Sequence, residues 1–273
     1  MFEAIILGVI QGLTEFIPIS SSAHIRLAGE FFPNAIDPGA MFTAITQIGT
    51  ELAVLIYFRK DILRITSAWI SSLTNKSARN QDSQMGWLII IGSMPIVVFG
   101  YLAQDFITNE LRSLWIIATM MIVFGLILGA ADRFASKTKE LSQLTVKHGI
   151  LYGLAQSLAL IPGVSRSGAT IAMGRALGYS REAALRYSFL LALPAVFGSG
   201  VYQLKGALSE NQVAVYSLVE TFVATSIAFI VGYIVIAWLL KFVTTKSFAP
   251  FIIYRVILGS TVLGLLATGV LQP

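Results

Sequence analysis

The 273-residue chain contains no cysteine, which excludes disulfides, thiolate metal sites and thiol catalysis. Charge is almost as scarce. Only 12% of the residues are Asp, Glu, Lys or Arg, against roughly a quarter in an ordinary soluble domain. With 56% hydrophobic residues and a mean hydropathy of +0.78, the chain reads as a multi-spanning, all-α membrane protein. The net charge of +5 does not point to nucleic acid, because Lys and Arg fall in short clusters between apolar runs and form no basic stripe interleaved with aromatics. They read as topology signals and headgroup anchors. The N-terminal stretch lacks the basic start of a secretory signal, carrying Glu3 there and Glu15 within its apolar run, so it is expected to stay in the mature protein.

Six apolar runs, each of about 20 residues, are long enough to cross a hydrocarbon core of about 30 Å as helices. They are Ala40 to Phe58, Met85 to Gln104, Leu114 to Ala131, Ala184 to Leu204, Ala214 to Leu240 and Ala249 to Val270. Two further apolar segments, 3–33 and 148–178, are broken by Pro, Gly and Ser and read as re-entrant helix-loop-helix segments. The connections 59–84, 132–147 and 241–248 hold Arg59, Lys60, Arg64, Lys76, Arg79, Arg133, Lys137, Lys139, Lys147, Lys241 and Lys246, and so belong in the cytoplasm. The turns 105–112 and 205–211 carry one basic residue each and belong outside, with both termini. Residues 61–74, DILRITSAWISSLT, suit an interfacial amphipathic helix.

The order is then a broken segment and three spans, twice over. Three is odd, so the second half must lie upside down: an inverted-topology repeat of residues 1–135 and 146–273 within one membrane domain. A sequence echo agrees, since IQGLTEFIPISSSA (10–23) and AQSLALIPGVSRSGA (155–169) align with a one-residue gap.

Irregular backbone at membrane depth survives only where protein or water satisfies it, so the two breaks are expected to share a polar cavity. Gln11 and Glu15, four apart on one helix face, offer oxygens suited to a hard cation, Mg²⁺ or Ca²⁺. Ser20, Ser21, Ser22 and His24 add hydroxyls and a base. His148, the other histidine, sits beside Lys147 at an expected cytoplasmic boundary and reads as interfacial. In PGVSRSGAT, Arg166 suits bidentate phosphate contact. Gly163 and Gly168 permit close approach there, and Ser165, Ser167 and Thr170 supply hydroxyls near a helix N-terminus: a phosphate cradle. Glu51, Glu220 and Arg255 also lie in apolar runs, and sequence alone does not say which way they face.

QGLTEFIPISSSAH and PGVSRSGAT closely resemble the paired signatures of the bacterial undecaprenyl-diphosphate phosphatase family, whose overexpression confers bacitracin resistance, and the likeness covers essentially the whole chain. The resemblance implies an enzyme that removes the terminal phosphate of the C55 polyprenyl diphosphate and returns the lipid carrier to peptidoglycan synthesis. It also implies a divalent cation, homodimers, and a site in the bacterial inner membrane opening to the outer, periplasmic face. By position, the family's acidic pair falls on Gln11 and Glu15, its serine and histidine on Ser21 and His24, and its phosphate set on Ser165, Arg166 and Thr170, with Ser22, Ser167 and Gly168 beside them. Two departures stand out: Gln11, where many relatives carry Glu, leaves Glu15 to hold the charge alone, and Ala23 replaces a common Gly. The rival reading is a secondary transporter or flippase of a lipid phosphate or anion, which needs Arg166 and helix ends but gains little from a serine beside a histidine.

Overall fold

The computed structural model describes residues 1–32, 37–103, 107, 110–135, 138–208 and 215–272. Eleven helices are described: α1 (Phe2–Thr14), α2 (Ser21–Glu30), α3 (Gly39–Tyr57), α4 (Arg59–Thr74), α5 (Gln81–Leu102), α6 (Leu114–Phe134), α7 (Val146–Ser157), α8 (Arg166–Ala176), α9 (Arg181–Leu208), α10 (Leu218–Thr245) and α11 (Ala249–Ala267). Among the described residues the only extended pairing is one isolated bridge between Lys139 and Tyr179. The turns expected outside, 105–112 and 205–211, fall partly outside the described residues, as do Gln104, Lys137 and Ala214.

Five helices, α5, α6, α9, α10 and α11, are long and apolar enough to cross a bilayer. The sixth expected span, Ala40 to Phe58, reaches that standard only when α3 is taken together with α4, which leaves it at an 81° bend. The bend falls where Phe58 gives way to Arg59, Lys60 and Asp61, side chains that belong in water. Beyond it α4 exposes Leu63, Ile70 and Leu73 and lays Trp69 against Trp87, the amphipathic pattern expected of an interfacial helix.

The two broken segments share a geometry. After α1 the chain passes through Phe16–Ser20, where Pro18 cannot donate to a continuing helix, and restarts at Ser21 from Ser20 with φ +74°. After α7 a short 3₁₀ turn, Leu158–Leu160, leads through Pro162 and Gly163 to Ser165, φ +72°, from which α8 starts. Ser20 and Ser165 are the two described non-glycine residues in the left-handed region, at a strain of about 1–3 kcal/mol each.

Each first helix leans on a span from the other half of the chain: α1 on α10, and α7 on α5. The approach is backbone to backbone. A Cβ on Gly8 would stand 2.6 Å from the Ala224 carbonyl oxygen, and one on Gly153 would overlap that of Gly92. Small residues allow this close fit where lipid supplies no hydrophobic drive between helices.

On the side of the Lys/Arg-rich connections, buried Asp132 near the end of α6 gathers three elements. It accepts from Arg175 Nε of α8 at 2.9 Å, from Arg181 Nε and Nη2 of α9 at 2.8 and 2.9 Å, and from the Phe248 amide before α11 at 3.4 Å. Removing the carboxylate strands two guanidinium groups, one of them fully buried, so Asp132→Ala is expected to cost about 3–5 kcal/mol. An unchanged thermal transition of the purified protein would remove Asp132 from that role.

Elsewhere Asp37 accepts from Arg112 Nε at 2.7 Å and Nη2 at 2.5 Å, and from the Gly39 amide at 2.9 Å. Burial pushes its carboxyl up, but Arg112, the Gly39 amide and Arg26 together hold it below the ordinary 3.8. A depressed folded value means stability that is full above the unfolded value and lost as pH falls through the folded one. Acidification below about pH 4 is therefore expected to destabilise wild type more than an Asp37→Asn variant, read by thermal unfolding against pH.

Candidate active site

Glu15 caps the end of α1, its amide on the Gln11 carbonyl at 3.0 Å, so its side chain emerges where the helix gives way to the first turn. Its Oε2 accepts from Gln11 Nε2 at 2.7 Å, from Ser21 Oγ at 2.5 Å and from Gln47 Nε2 of α3 at 3.4 Å. Its Oε1 accepts from Arg166 Nη2, the first residue of α8, at 2.7 Å. The same nitrogen donates to Glu51 Oε1 of α3 at 2.5 Å. Ser167 Oγ closes the seam, 3.3 Å from the Glu15 carbonyl oxygen and 3.4 Å from that of Ile17. Residues 151 apart in sequence thus form one buried cluster, built from both broken segments and α3.

One guanidinium is shared between two carboxyl groups where solvation is poor, an arrangement tolerated only with good pairing. Glu51 is fully buried, whereas the Arg166 side chain keeps 13% exposure, so the arginine marks the accessible edge. Three atoms at the cluster have no hydrogen-bond partner among the described residues: Gln11 Oε1, Glu51 Oε2 and Arg166 Nη1. Buried polar groups are rarely left unpaired, so these two acceptors and one cationic donor are open to partners beyond the described side chains. Among the described residues no three His, Cys, Asp or Glu side chains form a metal cage. Two carboxylates and an amide oxygen nevertheless fit a hard divalent cation that keeps waters and shares a substrate phosphate.

His24 is turned away from Ser21: Nδ1 lies 2.7 Å from the Ser20 carbonyl oxygen and Nε2 lies 2.7 Å from Tyr254 Oη, with the two rings stacked at 5.5 Å. Ser22 Oγ lies 3.3 Å from Ser20 Oγ. Ser165 Oγ caps α8 through the Gly168 amide at 3.1 Å, and Thr170 Oγ1 lies 2.8 Å from the Arg166 carbonyl oxygen and 2.5 Å from Ser188 Oγ, so both hydroxyls shape the turn. A Cβ on Gly168 would lie 2.9 Å from Arg255 Nη1, which explains the glycine. His148 stands apart, 2.6 Å from Tyr179 Oη on the basic side.

Gln47 and Glu51 complete the cluster, Tyr254 partners His24, and of these three only Glu51 drew notice in the sequence. A signal was present: Gln47 and Glu51 repeat the Gln-x-x-x-Glu spacing of Gln11 and Glu15. Glu220 lies elsewhere, in the first turn of α10, where it joins the Ser217 capping box and pairs with the Met1 amino group.

The profile of the Bacitracin resistance protein BacA family matches residues 4–261. Among curated relatives, an undecaprenyl-diphosphatase of Paenarthrobacter aurescens is 60% identical over 272 residues, covering 99% of this chain and 98% of its own. One from Micrococcus luteus is likewise 60% identical over 272 residues, with the same coverage. The undecaprenyl-diphosphatase 2 of Agrobacterium fabrum is 57% identical over 271 residues, covering 99% and 97%.

The charge balance of the cluster makes a stability prediction. Arg166→Met leaves two carboxylates facing one another and is expected to destabilise by about 3–5 kcal/mol, whereas Arg166→Met with Glu51→Gln recovers most of that loss. Additive losses in thermal unfolding would show that the three groups do not act as one unit.

Proposed function

The chain belongs to the Bacitracin resistance protein BacA family, and from that premise we propose that it is a membrane undecaprenyl-diphosphatase: it hydrolyses undecaprenyl diphosphate to undecaprenyl phosphate and inorganic phosphate. The reaction recycles the lipid carrier for peptidoglycan synthesis and underlies bacitracin resistance. The observation that carries the catalytic reading is the meeting of Arg166 and Ser21, from different broken segments, on the two oxygens of Glu15.

In this reading the segments 3–33 and 148–178 are re-entrant, and residues 1–135 and 146–273 are inverted repeats with six crossings. The matched left-handed serines and the exchange of α1 and α7 onto spans of the opposite half support it. The site opens to the outer face of the inner membrane, opposite the basic connections. Homodimerisation enters on the family resemblance alone.

The diphosphate lies against Arg166, whose free Nη1 reaches the terminal phosphate while Nη2 stays on the carboxylates. The Ser21 Oγ forms a bond to the terminal phosphorus as the bridging P–O bond breaks, and undecaprenyl phosphate departs. The Ser21 proton passes to Glu15, already 2.5 Å away. Water then attacks the phosphoserine. Its oxygen bonds to phosphorus as the Oγ–P bond breaks, the Glu15 proton returns to Oγ, one water proton leaves through His24 on its Tyr254 hydrogen bond, and inorganic phosphate departs with the other. Gln11, Glu15 and Glu51 would hold a divalent cation, Mg²⁺ or Ca²⁺, which would supply charge neutralisation at the phosphate. The N-terminus of α8 and the hydroxyls of Ser22, Ser165, Ser167 and Thr170 shape the phosphate pocket.

Phosphate release from a polyprenyl diphosphate by the purified protein tests this reading, with and without a chelator. Glu15→Ala, Ser21→Ala and Arg166→Ala are expected to lose about 100-fold or more, and His24→Ala about 10–100-fold. Acid quenching with labelled terminal phosphate should leave label on Ser21. Full turnover in every variant would reject the site, and uptake into sealed vesicles without phosphate release would favour a transporter.

A further inference from the structure

Arg255 of α11 is fully buried, and no carboxylate pairs with it among the described residues. Its partners are all backbone carbonyl oxygens. Nε donates to Met121 at 2.9 Å, Nη1 to Pro18 at 3.1 Å, and Nη2 to Met120 at 3.2 Å, Gly163 at 2.8 Å and Val164 at 3.0 Å. Met120 and Met121 belong to α6, the neighbour of α11, while Pro18 lies in the first turn and Gly163 and Val164 in the second. Carbonyls in such turns have lost their helical partners and, in an apolar bundle, need a donor. A planar guanidinium with five N–H groups in a rigid fork can serve both turns at once, which an ammonium on a flexible stem cannot.

Pro18 stands three residues before Ser21, and Val164 two before Arg166. We propose that Arg255 is a positioning residue for the hydrolysis: it never touches the diphosphate, but docks the two turns at the separation that lets Ser21 and Arg166 meet on Glu15. Its chain neighbour Tyr254 extends the same function by holding His24. Gly168 fits the scheme, because an added Cβ would press on Arg255 Nη1 at 2.9 Å.

The test is Arg255→Lys in the full-length protein, read by kinetics and by amide hydrogen exchange. The kinetic arm rests on the phosphatase reading, whereas the exchange arm does not. Amides of 16–21 and of 163–167 are expected to lose protection together while the helical amides of α6 and α11 keep theirs. In kinetics, Arg255→Lys should lower kcat by about 100-fold alone, but by less than about 3-fold when Ser21→Ala is already present, because positioning has no value once the positioned group is gone. Gly168→Ala, which keeps the arginine but displaces it, should deprotect 16–21 although residue 168 lies in the other segment. Unchanged protection in both turns, loss spread through every helix, or full additivity with Ser21→Ala would each overturn the proposal. No turnover by wild type with both turns deprotected in the variant would fault the phosphatase reading and leave the docking role standing.

Discussion

A guanidinium shared between two carboxylates inside an apolar bundle is the interaction around which this molecule is organised. In a medium where an unpaired charge costs several kcal/mol, Glu15, Glu51 and Arg166 are tolerable only together. Each comes from a different element, so the pairing ties α1, α3 and α8 into one arrangement. It also leaves two acceptors and one donor without a partner among the described residues.

Holding that arrangement requires irregular backbone deep in the protein, and several devices make it possible. Pro18 and Gly163 lie in the turns that follow α1 and α7, Ser20 and Ser165 take left-handed conformations that redirect the chain, and Arg255 satisfies carbonyls that the breaks expose. The close approach of Gly8 to α10 and of Gly153 to α5 keeps the first helix of each broken pair from sliding. Asp132 fastens the opposite side by joining α6 to the ends of α8, α9 and α11. Strain of a few kcal/mol at two serines persists because the packing around them over-determines it.

Much of the cluster was legible in the residues. Gln11 and Glu15 four apart, with Ser21 shortly after, place a carboxylate and a hydroxyl at one break, and Arg166 stands alone among small residues at the other. Their meeting follows from the rule that broken helices must share a polar interior. The pairing of Ser21 was not legible: spacing suggested His24 as its partner, but Ser21 donates to Glu15 while His24 bonds the Ser20 carbonyl and Tyr254. Glu51 and Arg255 stood out only as charges in apolar runs, since helical periodicity assigns faces and does not name the neighbour.

Composition and hydropathy determined the membrane class and the positions of the apolar helices, because those properties sum over local windows and need no partner. The Pro, Gly and Ser breaks likewise marked the two turns and the polar side chains beside them. Which of those side chains touch was decided by the tertiary structure alone. Contacts across 151 residues of chain depend on helix rotation, on close glycine packing and on one arginine spanning two turns, and none of these is a property of a local stretch.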